Sequence, residues 1–187
     1  MLWPFPGNTN ITANFNDPRP LSNPGKHPHG AIDIGLKVGS PIIAPERGTL
    51  FGYYSIRPVE SIYWPVGEQV DNPYRNYFYD MYGGLLVLKG DSGITHIFTH
   101  IYMNQLRNKN KCLSKWKPLE QKANARFPIF CERSENVRVY PGAEIGNSGN
   151  AGYSTGAHCH YEQHRGFKWQ SWEDRPDPEK TDWKEFK

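Results

Sequence analysis

The sequence predicts a mainly β, single-domain protein built on an antiparallel, β-sandwich-like sheet with long loops and few short helices. Glycine and proline are frequent, with 18 and 16 of the 187 residues, and chain-turning residues at this density favour short strands over a helical bundle. Between the turns lie short runs rich in β-branched and aromatic residues. A chain of this length suits one domain and buries a core without needing disulfides.

Strands are expected where such runs are bounded by glycine and proline. Residues 1–30 hold six prolines and predict an extended lead-in. The β core is expected over 31–164, with insertions at about 56–82 and 104–138, and residues 165–187 form a tail that packs along the surface. The first insertion is typical of a long loop, and the second has a weak helical pattern over 115–125. The predicted strands are 31–34, 40–44, 48–54, 84–88, 94–101, 137–140, 144–146 and 157–162.

Charge and hydropathy narrow the class of protein. Lys and Arg number 22 against 19 Asp and Glu, a net charge of +3 that argues against a nucleic-acid partner. A mean hydropathy of −0.74 and the lack of a long apolar run argue against a membrane span. The first residues show no basic and apolar segments of a secretory signal peptide.

The three cysteines are too few for a disulfide framework. Cys112 and Cys131 are the only pair close enough in sequence to invite a local bridge, and two unpaired buried thiols are the favoured alternative. Cys159 lies between two histidines, and a thiolate binds zinc well. Strand alternation points it away from those histidines, which favours a buried apolar role.

Metal-ligating residue types recur at strand spacing. His29 and Asp33 are four residues apart, and His158 and His160 are two apart. In strands, a period of two puts each pair on one face. Gly30 disfavours a helical reading of the first pair, because glycine in a helix interior costs about 1 kcal/mol.

A third histidine segment completes the candidate site. Alternation places His96, Phe98 and His100 on one face of the run 94–101, so His96 is a rival of His100. Two nitrogen ligands and one carboxylate, with a fourth position left to water, form the open set expected of a catalytic zinc site. Histidines outside that set are candidate proton carriers.

Simpler interpretations stand beside these. Taken alone, His29 with Asp33 would be a surface loop pair, and His158 with His160 would be solvated strand histidines. Glu162 shares their face and either orients a ligand histidine or is a surface carboxylate, and the pattern leaves both open. His27 and His164 are expected to be exposed to solvent.

In order and spacing, these residues resemble the lysostaphin and LytM type of zinc metalloendopeptidase, a family of peptidoglycan hydrolases. The family is marked by H-x-x-x-D, a later Y-x-H-L-like element and a late G-x-S-T-G-x-H-x-H-x-E element. The resemblance covers about residues 11–54, 83–103 and 137–164. Phe98, Ile101 and Cys159 replace the usual Tyr, Leu and Leu. The three elements stand here as His29-Gly-Ala-Ile-Asp33, Phe98-Thr-His100-Ile101 and Gly152-Tyr-Ser154-Thr155-Gly156-Ala-His158-Cys-His160-Tyr-Glu162.

The resemblance implies an antiparallel sheet that binds Zn²⁺ through His29, Asp33 and His160 on its concave face. His100 and His158 would be the catalytic histidines, and their spacing leaves open which of them is the general base. The implied activity is hydrolysis of stem or cross-bridge peptides of peptidoglycan by metal-activated water. The implied location is extracellular, periplasmic or virion-associated.

Two other functions remain open at this stage. One is a phage tail-associated structural lysin, with phage tail or cell-envelope proteins as neighbours. The other is a non-catalytic cell-wall-binding or activator domain of the same fold. The two long insertions fall outside the resemblance, so the sequence leaves open which peptide bond is cleaved.

Overall fold

Strands dominate the structure, a computed structural model that describes residues 1–18, 28–58, 69–70, 77–102, 105–106, 112–118, 130–152, 154–166 and 175–184. A 3₁₀ turn over Pro178–Lys180 follows the last strand. The strands are β1 (Ile11–Ala13), β2 (Ile32–Gly35), β3 (Pro41–Ile43), β4 (Gly48–Pro58), β5 (Gln69–Val70), β6 (Tyr77–Gly90), β7 (Ile94–Ile101), β8 (Lys117–Pro118), β9 (Phe130–Arg133), β10 (Val137–Val139), β11 (Glu144–Asn147) and β12 (His158–Arg165).

Ten of these strands form one sheet in the order β1-β2-β12-β7-β6-β4-β9-β8, with β10 paired to β4 and β5 paired to β6. Strands β3 and β11 form a second, two-stranded sheet. Every pairing between these strands is antiparallel, so the predicted mainly β, antiparallel fold is confirmed. Within the described ranges, no helix is long and apolar enough to cross a membrane.

The two insertions differ from their predictions where the structure describes them. The stretch 56–82 was expected to be a loop, yet β4 continues to Pro58 and β6 begins at Tyr77, so both described ends are paired strand. The aromatic residues between 77 and 82 favour strand, which explains the extension. The helical pattern over 115–125 is wrong for its described part, because Lys117–Pro118 is strand and a proline disfavours a helix interior. Residues 59–68, 71–76 and 119–125 lie outside the described residues.

The hydrophobic core lies against one face of the large sheet. Phe98 of β7 stacks on Tyr161 of β12 with ring centroids 4.9 Å apart. Phe5, from the N-terminal segment, contacts both rings edge-on at 6.0 and 5.8 Å. Cys159 is fully buried in this cluster, and burial raises the pKa of its thiol. Its predicted apolar role is therefore confirmed. The side chain of Cys131 lies outside the description, so the favoured interpretation of Cys112 and Cys131 as unpaired thiols stays a prediction.

The C-terminal tail packs against the N-terminal segment and β12. Trp183 contacts the ring of Trp3 at 5.4 Å and that of Tyr161 at 6.1 Å. The Phe15 backbone N–H donates to Glu179 Oε1 at 2.8 Å, and the Thr181 hydroxyl donates to Gln163 Oε1 at 3.0 Å. These contacts hold residues 175–184 beside the strand that carries His158 and His160.

Candidate metal centre

Strands β2 and β12 and the segment before β2 bring His29, Asp33 and His160 together, but His29 precedes β2, so the prediction that a strand carries it is wrong. Strands β2 and β12 pair with His160 directly opposite Asp33, and His29 stands four residues before Asp33. His160 Nδ1 lies 2.8 Å from Asp33 Oδ1 and 3.0 Å from His29 Nε2. His29 Nε2 lies 3.2 Å from Asp33 Oδ1. Three ligand-type atoms thus converge on one point, with one contributed by each residue.

The spacing of these atoms fits a small tetrahedral cation. Ligands bound to zinc at about 2.0–2.1 Å in tetrahedral geometry stand about 3.3 Å from one another. The observed separations of 2.8, 3.0 and 3.2 Å are within a few tenths of an ångström of that edge. Two imidazoles and a carboxylate are also a ligand set that zinc prefers. The residues present therefore fit the metal that the resemblance implies.

The remaining ring nitrogens of both histidines are held by acceptors. His29 Nδ1 lies 3.1 Å from the Asn14 carbonyl oxygen, and His160 Nε2 lies 3.0 Å from Glu162 Oε1. Because these oxygens only accept, both nitrogens carry the hydrogen, and His29 Nε2 and His160 Nδ1 remain for the metal. Glu162 is 2% exposed, so of its two open interpretations the structure supports the one that orients a ligand histidine.

The electrostatics of the site favour a positive charge among these groups. Burial disfavours the His160 cation, but hydrogen bonds to Asp33 and Glu162 outweigh it and raise the pKa of His160 to about 9. Burial also opposes ionisation of Asp33 and Glu162, yet their histidine partners hold the pKa of each carboxyl well below its usual range. A metal cation could replace the proton on His160 Nδ1, because Asp33 would then face the cation in place of that proton and the hydrogen bond from Nε2 to Glu162 would remain.

His100 and His158 lie beside the three candidate ligands, and one ring nitrogen of each is hydrogen-bonded to a backbone carbonyl. His100 Nδ1 donates to the Ala151 oxygen and His158 Nδ1 donates to the Gly156 oxygen, both at 2.8 Å. Their ring centroids are 4.5 Å apart, and His158 Nε2 lies 3.9 Å from Asp33 Oδ1. Burial, together with the two neighbouring histidines of β12, lowers the pKa of His100 to about 3. His100 is therefore a neutral imidazole with a lone pair on Nε2.

A β-bulge, which alternation does not predict, turns His100 onto the metal face. Phe98 contacts Tyr161 whereas His100 contacts His158, and Tyr161 and His158 lie on opposite faces of β12. Between the pairs Leu86↔Phe98 and Gly84↔Ile101, β7 uses one residue more than β6, and His100 has a φ of 65°. The prediction that His96, Phe98 and His100 share a face is therefore wrong for His100.

Two other histidines differ in their roles. His96 is fully buried on the core side, where Nδ1 contacts Tyr161 Oη at 2.7 Å and Nε2 contacts Glu46 Oε1 at 2.8 Å. It is therefore not a rival of His100. His164 was expected to be exposed but is 1% exposed, with Nε2 2.8 Å from Glu162 Oε2. It continues the alternation of His160 and Glu162 beneath the metal site, and His27 lies outside the described residues.

Sequence reasoning missed three residues that contact the site. The Ser154 hydroxyl donates to Asn150 Oδ1 at 2.6 Å and stands 3.0 Å from His158 Nδ1. Both residues lie near or within the late motif, which is the signal that could have found them. Arg175 Nη1 lies 3.1 Å from Glu162 Oε2. It belongs to the tail outside the resemblance, so the sequence carries no signal for it.

Replacing Gly149 by alanine is expected to misplace His100. An added Cβ would stand 2.5 Å from the His100 carbonyl oxygen and 2.7 Å from the Tyr102 nitrogen, so backbone must move. Such overpacking costs about 1–3 kcal/mol of unfolding free energy. We expect lower thermal stability, measured by calorimetry. Gly156→Ala is the control, because its Cβ would meet nothing within 4 Å, and an equal loss in both variants would contradict the account.

Comparison with known proteins identifies the fold. No protein-family model and no curated protein sequence matches the chain. A zinc-containing peptidase from Vibrio cholerae matches with a TM-score of 0.51 and 18% identity, over 97% of this chain and 40% of that one. The catalytic domain of lysostaphin, an antimicrobial peptidase from Staphylococcus simulans, matches with 0.49 and 17%, over 92% and 90% of the two chains. A variant of the catalytic domain of the prophage-encoded M23 protein EnpA from Enterococcus faecalis matches with 0.45 and 16%, over 92% and 91%.

The likeness to the Vibrio cholerae structure shows that the chain shares the fold of a zinc-containing peptidase. The resemblance read from the motifs is thus confirmed at the level of the fold. The chain spans 40% of the length of that peptidase, so the activity of the whole relative does not transfer with the fold. The chemistry of the site is therefore argued from the residues of this chain.

Proposed function

We propose that the protein is a zinc-dependent endopeptidase that hydrolyses peptide bonds in stem or cross-bridge peptides of bacterial peptidoglycan. The observation that carries this proposal is a three-residue ligand set with two further imidazoles beside it. His100 and His158 keep Nε2 available on the metal face because Nδ1 of each is bound to a carbonyl. In a structural zinc site four protein ligands complete the coordination. Three ligands with two unligated imidazoles beside them are instead typical of a catalytic site.

The five residues divide the chemistry between them. His29, Asp33 and His160 would hold the zinc, which would polarise a peptide carbonyl and lower the pKa of a water molecule. One imidazole of the pair His100 and His158 would accept a proton from the attacking water at Nε2. The other would donate a hydrogen bond to the developing oxyanion, which requires an imidazolium that carries a hydrogen on Nε2 as well as on Nδ1, and the proton taken from the water would then pass to the leaving amine. Proton transfer of this kind contributes about 10²- to 10⁴-fold to the rate.

The motif resemblance supports the proposed substrate class. Peptidoglycan peptides are the substrates of the enzymes that the motifs resemble. The matching elements here include the three candidate ligands and the two further histidines. The location that goes with this substrate is extracellular, periplasmic or virion-associated. In the virion-associated case the same hydrolysis would be performed beside phage tail proteins.

The test is digestion of purified peptidoglycan of several chemotypes, followed by mass spectrometry of the products. The wild type is expected to release defined muropeptides, whose new ends name the cleaved bond. His158→Ala is expected to release them about 10²- to 10⁴-fold more slowly while binding the same amount of zinc. Bound zinc without products from any chemotype would overturn the endopeptidase and leave the non-catalytic wall-binding domain as the function.

A further inference from the structure

The tail residue Arg175 reaches the carboxylate beneath the metal ligands. Its Nη1 lies 3.1 Å from Glu162 Oε2 and donates to the Gly30 carbonyl oxygen at 3.3 Å. The Arg175 side chain is 13% exposed and that of Glu162 is 2% exposed. An ion pair with so little solvent around it has a defined geometry and is weakly screened by salt.

Glu162 divides its two oxygens between different partners. Oε1 accepts from His160 Nε2 at 3.0 Å, whereas Oε2 faces His164 Nε2 at 2.8 Å and Arg175 Nη1 at 3.1 Å. The two contacts on Oε2 prevent the carboxylate from rotating about its terminal bond. Oε1 therefore stays aimed at His160 Nε2, which fixes the hydrogen on that nitrogen and leaves Nδ1 for the metal.

The same guanidinium nitrogen also joins the two ligand-bearing strands. Gly30 directly follows His29, so the hydrogen bond to its carbonyl ties Arg175 to the segment that presents the first ligand. Glu162 lies on the strand that presents His160. One nitrogen of the tail thus bridges the backbone beside His29 and the carboxylate that orients His160.

The tail is itself anchored independently of this bridge. Thr181 donates to Gln163 Oε1 at 3.0 Å, and Glu179 Oε1 accepts from the Phe15 backbone at 2.8 Å. The contacts of Trp183 with Trp3 and Tyr161 add apolar packing. These anchors place Arg175 without using the metal site, so its contribution can be separated from that of the tail as a whole.

We propose that Arg175, acting through Glu162 with His164, is a positioning residue for zinc: it locks the carboxylate that orients His160 and clamps the backbone beside His29. This inference rests on the proposed function, because it concerns the same zinc ligands. Removing contacts behind a metal ligand lowers metal affinity by about 10- to 100-fold. Arg175→Met is therefore expected to weaken zinc binding by that factor.

The experiment measures zinc affinity by competition with a chromogenic chelator, together with thermal unfolding of the metal-free protein. The variants are Arg175→Met, Arg175→Lys and Glu162→Gln. We expect Arg175→Met and Glu162→Gln to lose affinity, because the first removes a donor to Oε2 and the second places an amide N–H₂ against two donors. Arg175→Lys is expected to recover part of the affinity, since an ammonium can donate to the same two oxygens.

Thr181→Val is the matched control, because it removes a tail anchor without touching Glu162. An equal loss of zinc affinity in Thr181→Val and Arg175→Met would show that the tail acts only by packing and would overturn the inference. Unchanged affinity in Arg175→Met, beside a wild type that binds zinc, would overturn the inference and leave the proposed function intact. A wild type that binds no zinc would overturn the proposed function and this inference together.

Discussion

Replacing His160 by alanine is expected to abolish zinc binding and peptide hydrolysis together. His160 Nδ1 is the nitrogen shared by the closest contacts of the ligand group, at 2.8 Å from Asp33 Oδ1 and 3.0 Å from His29 Nε2. Its loss leaves two ligands for a metal that binds through at least three protein groups in catalytic sites. Elemental analysis after dialysis and a peptidoglycan digestion assay measure the two effects.

His96→Gln is the control for this prediction. His96 is also a buried histidine, but it contacts Glu46 and Tyr161 on the opposite face of the sheet. We expect this variant to be less stable than the wild type and to keep one zinc per chain. Hydrolysis that persists in His160→Ala at the wild-type rate would contradict the ligand assignment, provided that circular dichroism shows the variant to be folded.

Replacing His158 or His100 by alanine is expected to leave zinc bound and to lower kcat/KM by about 10²- to 10⁴-fold, the range of a general acid or base. Neither imidazole belongs to the ligand group, whereas both have Nε2 available on its face. Because the two act on one proton-transfer sequence, the double variant is expected to lose much less than the product of the single losses. Steady-state kinetics on a defined wall peptide measure all three.

A second variant tests whether the orientation of the His158 ring matters while the imidazole itself is kept. Ser154→Ala keeps both imidazoles and removes only a hydroxyl that lies 3.0 Å from His158 Nδ1. We expect a loss smaller than that of His158→Ala and no change in zinc content. If His158→Ala instead loses its zinc, then His158 is a ligand, and the division between ligands and proton carriers is wrong.

Part of the candidate ligand group was predictable because its geometry is local to a strand. Side chains alternate with a period of two, so the H-x-H-x-E spacing placed His158 with His160 and Glu162 on one face of β12. The approach of His29 to Asp33 does not follow from alternation, because His29 precedes β2 and a bend at residues 30–31 separates the two. The pairing of His160 with Asp33 across two strands then brought these local pairs together. Alternation also sent Cys159 into the core.

The motif identified His100 as a site residue, whereas strand alternation predicted the wrong face for its side chain. The bulge in β7 depends on its register against β6 and on a positive φ at His100, and neither is encoded in the local pattern of apolar residues. The motif identifies His100 but does not explain which face of the sheet its side chain lies on. Its partner, the Ala151 carbonyl, lies 51 residues later in the chain.

The contacts behind the ligands were not predictable for a different reason. Arg175 is 145 residues from Gly30, and no periodicity links a tail residue to the strand it will meet. His164 was expected on the surface. It is buried instead and contacts Glu162, the carboxylate that Arg175 of the tail also contacts.

The assignment of the zinc ligands is tested most directly by an anomalous difference map at the zinc absorption edge from crystals of the purified protein. We expect one strong peak at bonding distance from His29 Nε2, Asp33 Oδ1 and His160 Nδ1, with His100 and His158 outside bonding distance. A peak bonded to His100 or His158 in place of one of those three residues, or no peak among them in protein supplied with zinc, would contradict it.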